Sequence, residues 1–167
     1  NETTTLFKTI TITPAAAKDT TIRYNGTTLK QGETITGENG GTATVDSKNN
    51  TITLDNFKGN YPLEFNAEFT PNSITLIGDS TLSAVETKYQ NLTISGSGSL
   101  TVGSIKVHNQ KASSDDKPNL TINGATVTVG TAELTTRAID IDGDLTVTNG
   151  SLTATSASNN VPTVQVG

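Results

Sequence analysis

The polar side chains most able to bind a ligand recur at every second position of three short segments of the chain. They share this spacing, and they are Glu64, Asn66, Lys106, His108, Asp140 and Asp142. Because alternate side chains of a strand point to the same face, each pair would stand on one side of its strand. Carboxylates, amides and amines there can exchange hydrogen bonds with hydroxyls or carboxylates, so these residues indicate a sugar-binding face.

The same residues have a second interpretation, which is a ladder of charges between neighbouring strands. If the segments stack in register, Lys106 lies beside Asp140 and His108 lies beside Asp142. An exposed ion pair of this kind contributes at most about 1 kcal/mol to stability. The sequence leaves both interpretations open.

A group of carboxylates at Asp140, Asp142 and Asp144 indicates a metal site, and calcium is the cation that these ligands suit. Calcium takes about six to eight oxygen ligands, and Asp115 and Asp116 in the preceding loop would add carboxylates. Strand alternation predicts that Asp140 and Asp142 both point outward, whereas Asp144 follows a turn. The spacing of ligands typical of an EF-hand is absent. We therefore name these three residues as candidate calcium ligands.

Catalysis is not expected, because the chain lacks a recognisable catalytic arrangement. His108 is the only histidine, Lys106 lies beside it, and no serine or cysteine is placed to act with it as a nucleophile. A polysaccharide lyase would need a base to abstract a proton. Arg137 is the one candidate for that role, and we keep it as a candidate sugar-binding residue.

Two other surface arrangements also bear on function. Aromatic rings commonly stack on sugars, and among the three tyrosines Tyr89 is a candidate, with Tyr61 expected on the same side of a neighbouring repeat. Regular threonine arrays on flat β-surfaces can bind ice, but that requires paired Thr-x-Thr in every repeat, which this chain does not keep. Threonine is also an ordinary exposed strand residue.

The elements that must position these residues are predicted by a tripeptide of apolar, threonine and apolar residues. Its copies are Ile52-Thr53-Leu54, Ile74-Thr75-Leu76, Leu92-Thr93-Ile94, Leu120-Thr121-Ile122 and Leu145-Thr146-Val147. A polar or glycine turn follows, and then a second alternating strand, which in four copies is Leu82-Ser83-Ala84, Leu100-Thr101-Val102, Val127-Thr128-Val129 and Leu152-Thr153-Ala154. A third strand is visible in four copies but is not clear beyond Val85 in the second. Repeats of roughly 20–45 residues are typical of solenoids. The pattern predicts an all-β fold, namely a right-handed parallel β-helix of about five rungs.

A Greek-key sandwich also has many short strands, but it does not predict one tripeptide returning with a matching second strand. Residues 1–50 do not follow the repeat, and we expect them to cap the first rung of a helix formed by residues 51–167. This block predicts a strand over residues 1–12, a helical turn over 14–19 and a hairpin over 20–36 around Asn25-Gly26. Phe57, Phe65 and Phe69 are expected to plug the core beneath this cap.

Composition limits the classes of partner. The chain has 167 residues, 32% of them hydrophobic, and a formal net charge of −5. That charge argues against nucleic acid, which requires basic patches, and no apolar run approaches the ~20 residues of a membrane span. The chain has no cysteine and does not begin with methionine, so we expect a secreted or cell-surface protein whose signal peptide has been removed.

The rung pattern resembles that of the β-helical carbohydrate-binding domains of secreted bacterial proteins. The segments that carry the resemblance are 49–56, 73–82 and 91–102, and it extends over roughly residues 20–167. Such domains are related to pectate-lyase-type helices and bind acidic plant polysaccharides, some with calcium, without cleaving them. The resemblance implies a non-catalytic polysaccharide-binding domain. The alternative is a structural stalk, adhesin or fibre segment that associates end to end, because no capping element follows Val166-Gly167.

Overall fold

The computed structural model describes residues 19–46, 48–111, 115–157 and 160–167. Within these ranges the chain is all-β, as predicted, and contains no helix. The first nine strands are β1 (Asp19–Tyr24), β2 (Thr27–Lys30), β3 (Thr34–Thr36), β4 (Thr42–Asp46), β5 (Thr51–Asp55), β6 (Pro62–Phe65), β7 (Asn72–Ile77), β8 (Asp79–Leu82) and β9 (Ala84–Thr87). The remaining nine are β10 (Leu92–Gly96), β11 (Ser99–Val102), β12 (Ile105–Val107), β13 (Leu120–Asn123), β14 (Thr126–Gly130), β15 (Ile139–Ile141), β16 (Leu145–Thr148), β17 (Ser151–Thr155) and β18 (Val164–Val166).

The strands form three sheets that are mainly parallel. Sheet A has the order β18-β15-β12-β9-β6-β1-β2, sheet B the order β16-β13-β10-β7-β5-β4-β3, and sheet C the order β17-β14-β11-β8. From β7 onward the chain enters sheets B, C and A in turn, so each strand pairs with the strand three places later. This three-strand cycle is the structural form of the repeat seen in the sequence.

The repeated tripeptides lie side by side in sheet B. Ile52 pairs with Ile74, and Leu92 pairs with Leu120, which pairs in turn with Leu145. The inward side chains of β5, β7, β10 and β13 are buried, whereas the threonines between them are partly exposed. Alternation within the tripeptide therefore separates core from surface.

The register between β7 and β10 departs from a direct superposition of the tripeptides. Ile94 lies opposite Ile74, Leu92 opposite Asn72, and Gly96 opposite Leu76. The offset is two residues, so every side chain keeps its face. Gly96 has a φ of 113°, and an added Cβ would lie 2.3 Å from the Leu76 carbonyl oxygen, so only glycine fits this approach.

The N-terminal strands pair antiparallel. β1 and β2 form the predicted hairpin, in which Asn25 and Gly26 have φ values of 51° and 71°. Positive φ at both central residues is the requirement of a tight hairpin turn, which explains the Asn-Gly sequence. Each antiparallel pair includes a strand that lies before residue 51. The predicted boundary at residue 50 remains a prediction.

Among the described residues, the core is a cluster of mainly aliphatic side chains that come from strands of all three sheets. Phe57 and Phe65 are fully buried at its N-terminal part, as expected. Phe69 is 86% exposed, so the prediction that it also plugs the core is wrong. It lies beyond β6, where alternation no longer directs its ring inward.

Two buried asparagines continue the inward column where aliphatic residues are missing. The Asn50 side-chain amide donates to Asn72 Oδ1 at 2.6 Å, and the Asn72 amide donates to the carbonyl of Gln90 at 3.2 Å. Thr21 in turn donates to Asn50 Oδ1 at 2.7 Å. Buried amides are tolerated because their hydrogen-bonding groups find partners in this way.

Two details of the second repeat differ from the sequence prediction. Its second strand, β8, ends at Leu82, although we expected Ser83 and Ala84 to belong to it. Its third strand, β9, is present over Ala84–Thr87, where none was clear beyond Val85. Thr87 is buried and donates to the Gln90 carbonyl at 3.1 Å, so a hydroxyl occupies an inward position that apolar alternation does not reveal.

The predicted strand over residues 1–12 lies outside the described residues, as does the helical turn except for Asp19. No helix in the described part of the chain has the length and hydropathy needed to cross a membrane.

We predict that Asn72→Ala destabilises the fold by about 1–3 kcal/mol, because the buried Asn50 amide then loses its acceptor. Urea denaturation measures this loss. The matched control is Asn123→Ala, whose side chain is exposed at the end of β13, with an expected change within about 0.5 kcal/mol. Equal losses in the two variants would contradict the proposed role of Asn72.

The turn between β4 and β5 provides a test by titration. The Asn49 side chain donates to Asp46 Oδ2 at 2.8 Å and the Lys48 backbone to Oδ1 at 3.1 Å, which lowers the pKa of Asp46. These hydrogen bonds therefore stabilise the turn fully at pH values above the ordinary carboxyl pKa. The stabilisation is lost as the pH falls through the lowered pKa of Asp46. Asn49→Ala should raise the pKa of Asp46 in a carboxyl NMR titration. Asn39→Ala, in a different turn, should leave it unchanged.

Candidate functional site

A ladder of polar side chains crosses the outer face of sheet A. Successive strands place its members in direct register, and they are Arg23, Glu64, Glu86, Lys106, Asp140 and Gln165. Parallel neighbouring strands lie about 4.8 Å apart, so side chains at equivalent positions lie close enough to interact. The ladder forms because the residues on either side of Glu64, Glu86, Lys106 and Asp140 are buried, which fixes the outward face for these four members.

The charges of this ladder are largely paired within it. Glu64 Oε2 lies 3.9 Å from Arg23 Nη1 and 3.6 Å from Lys88 Nζ. Lys106 Nζ lies 3.3 Å from Glu86 Oε1 on the preceding strand. These side chains are partly exposed, so each pair adds little to stability. Their combined effect is a face with many hydrogen-bonding groups and little unbalanced charge.

Asp140 lies close to two basic side chains, and it accepts a hydrogen bond from Arg137. Its Oδ2 lies 3.2 Å from Arg137 Nη1 and 3.6 Å from His108 Nε2. Lys106 is in register with Asp140 as predicted, but its ammonium pairs with Glu86 instead. The predicted partner of His108 was Asp142, and the imidazole reaches Asp140 instead.

Arg137 lines a cleft of about 380 Å³ on the amino side of β15, together with Lys106 and the hydroxyls of Thr135 and Thr136. Within the described residues, its buried Nε has no hydrogen-bond partner. Among the described residues, neither His108 nor any serine or cysteine lines this cleft, which offers two cations, two hydroxyls and the Asp140 carboxylate. Such a cleft can bind carboxylates or hydroxyls.

Asn109 organises the loop that follows β12. Its backbone nitrogen donates to Asp142 Oδ2 at 2.7 Å, and its side-chain amide donates to the Asp116 carbonyl at 2.9 Å. Its Oδ1 accepts a hydrogen bond from the Lys111 backbone at 3.0 Å. The Asn109 side chain therefore joins both described ends of this loop, and its backbone connects them to the residue after β15.

Two polar clefts lie on either side of this loop. The acidic cleft, of about 450 Å³, is lined by Asn109, Asp115, Asp116, Asp140, Asp142 and Gln165 among others. The amide cleft, of about 350 Å³, is lined by Tyr89, Gln90, Asn91 and Asn119 among others. Asp116 and Lys117 line both clefts and form the wall between them. Together they follow the carboxyl ends of the strands of sheet A.

The predicted calcium ligands do not converge on one point. Asp140 and Asp142 line the acidic cleft, whereas Asp144 is absent from its lining. The Asp144 backbone nitrogen donates to Asn119 Oδ1 at 2.6 Å, on the turn before β16. Among the described residues, no group of three or more His, Cys, Asp and Glu side chains is placed to hold a metal. Calcium binding stays a prediction, with Asp140 and Asp142 as the two carboxylates that share a cleft.

The aromatic side chains form two separate groups. Tyr61 is 49% exposed and packs edge to face on Tyr24 with a centroid distance of 5.9 Å, before β6. Tyr89 follows β9, at the opposite end of the strands of sheet A. The expectation that Tyr61 and Tyr89 share one side is therefore wrong. Instead, the Lys111 ammonium lies 5.8 Å from the Tyr89 ring and 4.6 Å from that of Phe69.

The sequence-predicted site residues are therefore placed in four positions. Glu64 and Lys106 stand in the ladder, and Asn66 follows β6, where its backbone nitrogen donates to the Thr21 carbonyl at 2.8 Å. His108 and Arg137 converge on Asp140, whereas Tyr89 and Asp142 line the clefts.

Sequence reasoning missed several residues of this region, which are Arg23, Phe69, Glu86, Lys88, Asn109 and Lys111. Glu86 was missed because its strand has threonine at an inward position, so the alternation was not recognised. An alignment of the repeats that allowed polar inward residues would have found Glu86 and Lys88 together. The contacts of Asn109, Phe69 and Lys111 depend on loop conformation, for which the repeat carries no signal.

Comparison with known proteins gave no match to a protein-family model, to a curated protein or to a solved structure.

We predict that Asn109→Ala loosens the described ends of the loop without unfolding the sheets, because it removes the two hydrogen bonds of the Asn109 side chain to Asp116 and Lys111. Backbone amides of residues 109–111 and 115–119 should exchange hydrogen faster, while those of β10 and β13 keep their protection. Gln110→Ala, at an exposed neighbouring position, is the control and should leave exchange unchanged. Unaltered exchange in Asn109→Ala would show that other contacts hold the loop.

Proposed function

We propose that the chain forms a right-handed parallel β-helix of about five rungs, capped by an N-terminal hairpin. The support is the three-strand cycle, in which equivalent strands pair in parallel and in register in all three sheets. Right-handed connections between parallel strands are the rule in proteins. In this interpretation, sheet A is one side of a prism and its outer face runs along the axis.

We propose that this outer face makes the chain a non-catalytic polysaccharide-binding domain. The single observation that carries the proposal is the pair of adjoining clefts at the carboxyl ends of the strands of sheet A, with their carboxylate and amide linings. Sugar hydroxyls donate and accept hydrogen bonds, and such a lining can satisfy both roles. The resemblance to secreted bacterial carbohydrate-binding domains agrees with this proposal and implies a secreted or cell-surface location.

Binding in these clefts would depend on many modest contacts. Each hydrogen bond to a hydroxyl replaces one to water, so its net contribution is only about 0.5–1.5 kcal/mol. An extended polysaccharide that occupies both clefts would combine such contacts, and the entropy cost of immobilising it would arise only once. Acidic polysaccharides would add contacts between their carboxylates and the cleft that Arg137 and Lys106 line. Calcium, if bound by Asp140 and Asp142, would bridge these carboxylates to the ligand.

The alternative proposal is a structural segment that associates through the end of the solenoid. Within the described residues, β16, β17 and β18 are the last strands of their sheets, so each has one unpaired edge. Val147 and Val166 on these strands are 42% and 43% exposed, whereas aliphatic residues in register on β13 and β15 are buried. Unpaired edges with exposed apolar side chains favour pairing with another chain.

We predict that the protein is retarded in a gel containing polygalacturonate, more strongly with calcium, and that Asp116→Ala combined with Lys117→Ala reduces the retardation. Both side chains are exposed and form the wall between the clefts, so their removal should weaken binding without unfolding. The control combines Lys48→Ala with Glu133→Ala, which are also exposed and leave the net charge equally unchanged.

Retardation that is the same for both double variants would place binding elsewhere on the surface. If the unmodified protein is not retained by polygalacturonate or by a panel of insoluble neutral polysaccharides, the binding proposal fails. Light scattering that increases with protein concentration would then favour the structural alternative.

A further inference from the structure

Phe69 is the most exposed large hydrophobic side chain among the described residues, at 86%. Isolated apolar side chains are common on protein surfaces and need no explanation. Phe69, however, belongs to a group with defined contacts. Because its ring is almost entirely accessible, it contributes little to the core, and its replacement should cost little stability.

Lys111 holds this ring beside a second aromatic side chain. Its ammonium lies 4.6 Å from the Phe69 centroid and 5.8 Å from the Tyr89 centroid, within the range of cation–π attraction. The same ammonium lies 3.4 Å from Glu68 Oε2, so an ion pair directs it toward the rings. We call Phe69, Tyr89 and Lys111 the aromatic group. Its rings come from two successive repeats, which places them along the solenoid axis.

The aromatic group adjoins the amide cleft. Tyr89 belongs to both, and Gln90 in the cleft donates to the Glu68 carbonyl at 2.7 Å, which fixes the segment that carries Phe69. Asn91 Oδ1 accepts from the Asn119 backbone at 2.8 Å, which holds the far wall. A ligand that reaches from Phe69 into this cleft would meet an apolar ring first and amide groups next.

We infer that the aromatic group and the amide cleft form a subsite for one uncharged pyranose ring of a β-linked polysaccharide, with Phe69 as its stacking platform. This inference rests on the proposed polysaccharide-binding function and specifies the sugar class at one position. A pyranose with equatorial hydroxyls presents C–H groups on its faces and hydroxyls at its rim. The face would pack on Phe69, as apolar groups pack on aromatic rings, while rim hydroxyls enter the amide cleft.

The charges around this subsite favour a neutral sugar over an acidic one. Glu68 pairs with Lys111, and Asp116 and Lys117 line the amide cleft together, so anions and cations are balanced. A uronate carboxylate would gain no net attraction from these four residues, because it would approach two carboxylates as well as two cations. A neutral ring avoids that repulsion and loses less hydration on binding.

The test is calorimetric titration of the full chain with cellohexaose, and in parallel with hexagalacturonate. Phe69→Ala should weaken cellohexaose binding roughly tenfold, a change typical of the loss of one well-placed aromatic contact. Phe69→Tyr keeps the ring and should bind within about twofold of the unmodified protein. Ile77→Ala removes another exposed apolar side chain, in sheet B, and should leave binding unchanged.

The outcomes separate this inference from the function on which it rests. If the protein binds cellohexaose and Phe69→Ala has no effect on that affinity, the inferred subsite is wrong. If hexagalacturonate binds and cellohexaose does not, the neutral subsite is wrong while polysaccharide binding stands. If neither ligand binds and no polysaccharide retains the protein, the proposed function itself fails. Melting temperatures of the variants within about 2 °C of the unmodified protein would show that folding is intact.

Discussion

The parallel pairing of equivalent strands is the constraint on which the rest of the structure depends. Backbone hydrogen bonds fix the register of each strand against the one three places later, and the buried aliphatic side chains fix which face points inward. A shift of one residue would turn the apolar column of sheet B outward. Once the register is set, the outward residues are set as well. The ladder on sheet A is therefore a consequence of the core, although no member of the ladder belongs to the core.

This constraint explains which features could be predicted from the sequence. The tripeptide of sheet B and three of the four second strands appear where alternation placed them, and so does the register of Lys106 with Asp140. The two-residue register offset between β7 and β10 could not be predicted from apolar alternation. It depends on the close approach of Gly96 to the Leu76 backbone and on a buried amide at Asn72. Polar inward residues break the apolar pattern but not the strand.

The candidate site was harder to predict because its contacts join elements of different repeats. Register alone placed Lys106 beside Asp140, but the Lys106 ammonium pairs with Glu86. The side chains that lie against the Asp140 carboxylate are those of Arg137 and His108. A side chain in a ladder has two neighbours, and the choice between them depends on local geometry. The loop contacts of Asn109 are further from any repeating signal, since they join residues on either side of segment 112–114.

The pairing of charges decides what kind of ligand this surface suits. A face whose cations are already within 4 Å of carboxylates attracts anions weakly, so selectivity would come from hydrogen-bond geometry and ring stacking rather than from charge.

The two proposals for function are compatible, because they use different parts of the surface. The clefts lie at the carboxyl ends of the strands of sheet A, whereas the strand edges on which the second proposal rests belong to β16, β17 and β18. Association through those edges would leave the clefts open and could bring those of neighbouring copies into line. A long polysaccharide would then contact several copies at once, and weak binding by each copy would be sufficient.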